Sequence, residues 1–221
     1  MTMAETGAAL KKEWVRAEKK ALAPHGFRAA AGGRYVVALG DDWTGGLTLP
    51  KRAGGAGTTT VHFDPPNCSV THVPTQRLIR ELSGFGPKAP EYPTLPGAWR
   101  GVPPADVVDA LRASAPSDPD GVAKAVAGTD DLVRDHVLPW MRAHADLDAL
   151  AAALDAPLTA PDSEAQRLQS LAVVSHWRGD DARARALTDE FAERFGATGI
   201  APIDEPRGRF AAGFRDLLGG A

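Results

Sequence analysis

Apolar positions recur at the helical period from the start of the chain. Leu10, Trp14, Ala17 and Ala21 make one stripe, which predicts a helix over residues 5–23. Lys11, Glu18 and Lys19 fall off that stripe, so "KKEWVRAEKK" reads as a solvated face. Pro24-His25-Gly26 ends the helix, because Gly26 accepts the left-handed conformation favoured at a helix C-terminus.

The period then changes to two. Residues 27–30 form a short candidate strand, turned by Gly32-Gly33. "RYVVAL" points Tyr35, Val37 and Leu39 one way and the apolar Val36 and Ala38 the other, which predicts a central strand covered on both faces. "WTGGLTL" aligns Trp43, Leu47 and Leu49 on one half-buried face. After a flexible "PKRAGGAG", the β-branched runs "TTTVHF" and "SVTHV" flank "DPPN" and read as a hairpin.

A short helix fits residues 75–82. "SGFGPKAPEYPTLPGAWRGVPP" is dense in Pro and Gly and about as long as a loop becomes inside a compact domain. It is either a linker or a stretch packed down by Phe85, Tyr92, Leu95 and Trp99. The remainder is helical in pattern. "PADVVDALRAS" opens on prolines tolerated in a first turn. Pro139 either kinks or divides the run over residues 118–145. "DLDALAAALD" is short, and Asp162 or Ser163 caps the next helix. Leu168, Leu171, Val174 and Ser175 then face Ala182, Ala186, Leu187 and Phe191 across a turn at "RGDD", a helical hairpin in one copy that implies no solenoid. "GRFAAGFRDLL" closes the chain.

The pattern as a whole predicts an α+β fold: an N-terminal helix packed on a four- to five-stranded antiparallel sheet, then a mostly helical C-terminal half. Residues 1–100 make the helix-plus-sheet region. Residues 101–221 make the helical region, packed on the first as one compact unit.

Composition narrows the function. The 221 residues carry a net charge of −3, and no Lys/Arg cluster offers a footprint for nucleic acid. One cysteine excludes an internal disulfide framework. The first 22 residues are charged throughout, unlike a secretory leader, and no run approaches the ~20 apolar residues of a membrane helix. The expected location is the cytoplasm, with no membrane partner.

Motifs of chemistry are scarce. "VHFDPPNCSVTHV" holds Cys68 and two of six histidines. In the expected hairpin His62 and His72 share a face, diagonally at roughly 7–8 Å, with Cys68 and Asp64 at the loop. Yet H-x5-C-x3-H matches no established zinc spacing, and Val61, Phe63 and Val73 mark the opposite face as buried. The hairpin therefore reads as a structural element with a polar face, and no metal is expected. His136 and His144 lie two helical turns apart, about 12 Å, too far to share a metal. "KRAGGAGTTT" lacks the G-K-[ST] ending of a phosphate loop, and "GGRYVVALG" leads into a strand, so no nucleotide or other cofactor is expected.

Trp14 on the charged helix, Gly26-Phe27 after it, the "RYVVALG…LTL" strands, Trp99 in a Gly/Pro context and Pro139-Trp140 together resemble a bacterial family annotated only as a domain of unknown function. Members of such families often sit near polymorphic toxin and immunity genes, so the resemblance implies a small protein-binding domain. It brings no catalytic residues with it, and "SHWRGDDARARALTDEF" falls outside the shared pattern. The expected function is a non-catalytic, immunity-like protein binder. Its expected partner site is Tyr92, Trp99 and Arg100, since aromatic and Arg anchors dominate interfaces. The alternative is an enzyme acting on a small molecule in a groove between the sheet and the helical half, with Arg34, Asp41, His62 and His136 as polar candidates.

Overall fold

The computed structural model describes residues 3–53, 61–86 and 92–220, the side chains of 3–6 excepted. Helix α1 (Met3–Leu22) passes through a short 3₁₀ turn and ends at Gly26, whose φ of 87° is the expected left-handed stop. Strands β1 (Arg28–Ala29), β2 (Arg34–Ala38), β3 (Trp43–Thr48), β4 (Lys51–Ala53), β5 (Val61–Phe63) and β6 (Asn67–His72) follow. Then come α2 (Val73–Leu82), the short β7 (Leu95–Pro96), α3 (Ala105–Ala113) and α4 (Pro119–Leu132). The helices α5 (Leu138–Ala143), α6 (Leu147–Asp155), α7 (Pro161–Trp177), α8 (Asp181–Phe195) and α9 (Ala201–Gly219) complete the chain. This is the expected α+β architecture, an N-terminal helix and a five-stranded antiparallel sheet followed by a helical C-terminal half. The strands lie in the order β1-β2-β3-β6-β7, with β4 and β5 paired separately. Contacts divide the chain into two units: Met1–Ser69 with Pro96–Arg142, and Val70–Leu95 with Ala143–Ala221.

Two strand expectations change. The hairpin flanking "DPPN" does not form. β5 pairs with β4, so His62 lies opposite Arg52 and Phe63 opposite Lys51, while β6 joins the larger sheet. Asp64 N–H donates to Pro50 O at 3.0 Å, which extends the β4–β5 ladder past Phe63. Residues 58–60 of the expected strand lie outside the described residues. β2 is buried on one face only: Tyr35 and Val37 are inside, Val36 is half-buried and Ala38 is exposed. Across from it, Gly45 pairs with Val37, and a Cβ there would stand 2.6 Å from Met141 Sδ. The bare backbone makes room for that side chain.

In the first unit α1 packs most extensively on α4 and also reaches β4 and β5. Trp14 is 1% exposed and its ring stacks on Phe63 with centroids 5.8 Å apart. Glu18 is the correction on this helix. It is not on a solvated face but fully buried, one turn below Trp14. Lys51 Nζ donates to Glu18 Oε2 at 2.5 Å and to Leu49 O at 3.0 Å, and the Tyr35 hydroxyl donates to Glu18 Oε1 at 2.9 Å. The Lys51 ammonium also stands 4.8 Å from the Trp14 ring centroid and 5.5 Å from that of Phe63. Burial raises the Glu18 carboxyl above its usual range and lowers the Lys51 ammonium, while their mutual attraction opposes both shifts.

The helical run around Pro139 is divided, as expected, between α4 and α5. The chain passes through a π-helical turn, Val133–Val137, in which Leu138 N–H bonds back five residues to Val133 O. The wider turn sits where proline removes the ordinary bond to Asp135 O.

In the second unit α7 is buried nearly all round, from Glu164 to Ser175, and packs on α2, α6 and α8. Its start differs from expectation. The N-cap position is Ala160, with Pro161 at the first turn, so neither Asp162 nor Ser163 caps it. Glu164 reaches back instead and accepts the Leu158 N–H at 2.8 Å. Arg167 grips the same carboxylate with two bonds of 2.6 and 2.7 Å and donates to Leu154 O at 2.6 Å, which holds Glu164 below the usual carboxylate range. The α7–α8 hairpin is present, but its α8 face is Ala184, Leu187, Thr188 and Phe191. Ala182 and Ala186 are exposed. Phe191, Phe210 and Phe214 form the aromatic centre, with successive centroids 5.6 and 5.4 Å apart.

Trp14→Ala is expected to cost about 3–5 kcal/mol in a denaturant titration, the range for removing a fully buried Trp ring. Glu18→Ala is expected to cost about 3–5 kcal/mol, because it strands Lys51, while Glu18→Leu/Lys51→Met together is expected to be neutral or stabilising. Glu18 also sets a pH dependence. Its raised folded pKa contributes stability that is full below 4.5 and lost as pH rises through the folded value. Unfolding titrations across that window are expected to lose this component in Glu18→Gln.

Candidate functional site

The opening candidate, His62 with Cys68 and His72, is taken apart by the strand pairing. His62 is exposed on β5. Cys68 is fully buried on β6, its thiol 3.5 Å from Val102 O and pressed against Gly97. Burial pushes that thiol up to about 12, far from a nucleophile's range. His72 is buried in the second unit, with Nδ1 2.8 Å from Thr75 Oγ1, its backbone N–H donated to Thr94 Oγ1, and Trp177 edge-on at 6.5 Å. Among the described residues no three His, Cys, Asp or Glu side chains gather to hold a metal.

The three expected partner residues fall in different units. Tyr92 is 57% exposed and belongs to the second unit. Trp99 and Arg100 belong to the first, half-buried in a 3₁₀ turn, Gly97–Arg100, where the Arg100 guanidinium donates to Trp99 O at 2.8 Å. Of the stretch around them, Leu95 packs down fully, whereas Phe85 stays 44% exposed. Residues 87–91 lie outside the described residues.

Tyr92 and Phe85 line one groove of about 430 Å³ in the second unit. Ile79 and Arg80 of α2, Gln169 and Ser170 of α7, and Ile203 of α9 also line it, with Phe191 from the aromatic centre. The chain beside Tyr92 is pinned. Gln166 Nε2 donates to Pro93 O at 2.8 Å, and Gln76 Nε2 to Thr94 Oγ1 at 3.3 Å. Ser170 Oγ is buried and has no hydrogen-bond partner among the described residues. Sequence reasoning found Tyr92 and Phe85 but missed the α9 wall. Its signal was Ile200 and Ile203, apolar residues three apart that are 53% and 36% exposed.

A second cavity, about 510 Å³, lies in the first unit against β2 and β3, lined also by Leu138 and Arg142 of α5. His25 stands in its wall, with Nε2 bonded to Asp130 Oδ1 at 2.7 Å. None of Arg34, Asp41, His62 and His136 lines this cavity. Arg34 and Asp41 are exposed and His136 is half-buried in the π-helical turn. His62 lines a different hollow with Arg52, Asp64 and Arg112, where the Arg52 guanidinium holds Asp64 below its usual range.

No helix among the described residues is long and apolar enough to cross a membrane. No family model, curated protein or solved structure matches the chain.

The buried, unionised thiol predicts slow chemistry. Cys68 is expected to react with a disulfide reagent at least about a hundredfold slower in the native protein than in denaturant, read as absorbance of the released thiolate.

Proposed function

We propose that this chain is a non-catalytic protein-binding domain of the cytoplasm, immunity-like in that its partner is a toxin it blocks, with the second unit's groove as the contact surface. The observation that carries this is the exposure of Tyr92, at 57%, and Phe85, at 44%, on the rim of one groove. Aromatic side chains left out of a core and gathered round a concavity are the usual anchors of a protein interface. Among the described residues no Lys or Glu lines the groove, which fits the depletion of those residues at interface centres. The bonds from Gln166 and Gln76 restrain the chain beside Tyr92, so little ordering entropy is lost when a partner closes over it. The resemblance to a family found near toxin and immunity genes supports the choice of partner. Trp99 and Arg100 lie in the other unit and are outside this surface.

A photo-crosslinking residue at position 92 in the native host identifies the partner, which is then purified and titrated. The Phe85→Ala/Tyr92→Ala protein is expected to stay folded and bind at least about tenfold more weakly. Co-expression of the wild-type chain is expected to suppress the partner's toxicity, and the double variant to fail. Unchanged affinity in the double variant overturns the surface, and a partner without toxicity overturns the immunity-like part.

A further inference from the structure

The two residues of fixed charge that line the first unit's cavity are both arginines. Arg28 of β1, Arg142 of α5 and His25 line it, and no carboxylate does. Asp130 is bonded to His25 at 2.7 Å, and its other oxygen lies 3.8 Å from Arg134. Arg28 and Arg142 are exposed, and neither enters an ion pair or hydrogen bond among the described residues. Among the described residues Arg16, Arg34 and Arg77 are unpaired as well, but none of them lines this cavity, and other arginines are held by carboxylates. Arg52 pairs with Asp64, Arg134 with Asp131 and Asp135, Arg178 with Asp148, and Arg215 with Asp189. In a protein of net charge −3, carboxylates are not scarce, yet none is among the residues that line the cavity; Asp130 touches the wall only through His25.

No carboxylate in the lining neutralises the two guanidinium groups, so the cavity favours an anion. Their fork of N–H donors matches the oxygens of a carboxylate or a phosphate. The remaining surface has a different character. Val36, Ala38 and Leu138 give the cavity apolar walls, which an inorganic ion would leave uncovered. A volume of about 510 Å³ is that of a small-molecule pocket.

We propose that this cavity binds a small organic anion, a carboxylate or phosphate head on an apolar body. Arg28 and Arg142 grip the head, Val36, Ala38 and Leu138 cover the body, and His25, held by Asp130, completes the wall. The site belongs to the first unit and stands whether or not the groove around Tyr92 binds a protein.

Calorimetric titration of the full chain tests it with four probes: phenyl phosphate, benzoate, inorganic phosphate and neutral benzyl alcohol. Phenyl phosphate or benzoate is expected to bind once per chain, at least about tenfold tighter than inorganic phosphate or benzyl alcohol. Which of the two binds tells a phosphate head from a carboxylate. Arg28→Gln and Arg142→Gln are each expected to weaken that binding about tenfold or more without changing thermal unfolding, while Arg34→Gln, outside the cavity wall, leaves it unchanged. Failure of both organic anions at millimolar concentration overturns the proposal. So does equal binding of benzyl alcohol, or full affinity in the Arg28→Gln/Arg142→Gln double variant.

Discussion

The buried ion pair between Glu18 and Lys51 ties together the elements of the first unit. Glu18 comes from α1 and Lys51 from β4, and the Tyr35 hydroxyl of β2 takes the second carboxylate oxygen. One side chain thus bonds to the larger sheet and to the β4–β5 pair at once. Removing both charges from water costs several kcal/mol per ion, so the pair persists only because its partners are aligned. Lys51 is served by the carboxylate, the Leu49 carbonyl and the faces of Trp14 and Phe63. The Trp14 indole N–H has no partner among the described residues, so that ring contributes area and a face for the ammonium rather than a hydrogen bond.

The second unit solves the same problem along one helix. α7 is enclosed on nearly every side, which ordinarily requires an apolar helix. It nonetheless buries Glu164 and Arg167, three apart on one face. The carboxylate satisfies the Leu158 N–H at the helix start and the guanidinium satisfies the Leu154 carbonyl at the end of α6. The pair thus closes backbone groups that the α6–α7 connection would otherwise leave open.

These two anchors separate structural charges from available ones. Buried or bonded groups such as Lys51, Arg167 and the Cys68 thiol are committed to the fold. Among the groups left over, Phe85 and Tyr92 line a groove in one unit, and the unpaired Arg28 and Arg142 line a cavity in the other. The two proposed ligands differ accordingly, a protein for the first and a small anion for the second, because area and desolvation drive one kind of recognition and directed charge-assisted bonds the other.

Helical periodicity determined α1, the stop at Gly26, α2 and the α7–α8 hairpin, because these depend on residues three or four apart. Alternation likewise revealed β2 and β3. What alternation cannot state is which strand is the neighbour. "VHF" and "SVTHV" read as partners because they are adjacent in sequence, yet β5 turned back to β4 and β6 left for the larger sheet. That choice alone dissolved the His62–Cys68–His72 site. The burial of Glu18 was equally invisible, since its partners come from 17 and 33 residues away. Tyr92 was legible as a candidate because aromatics in a Pro-rich stretch stand out. Its groove was not, because α7 and α9 supply the walls from more than seventy residues further on. Local spacing decides elements through short-range backbone geometry. Pairing, burial and cavities are decided by long-range packing, which only the tertiary structure expresses.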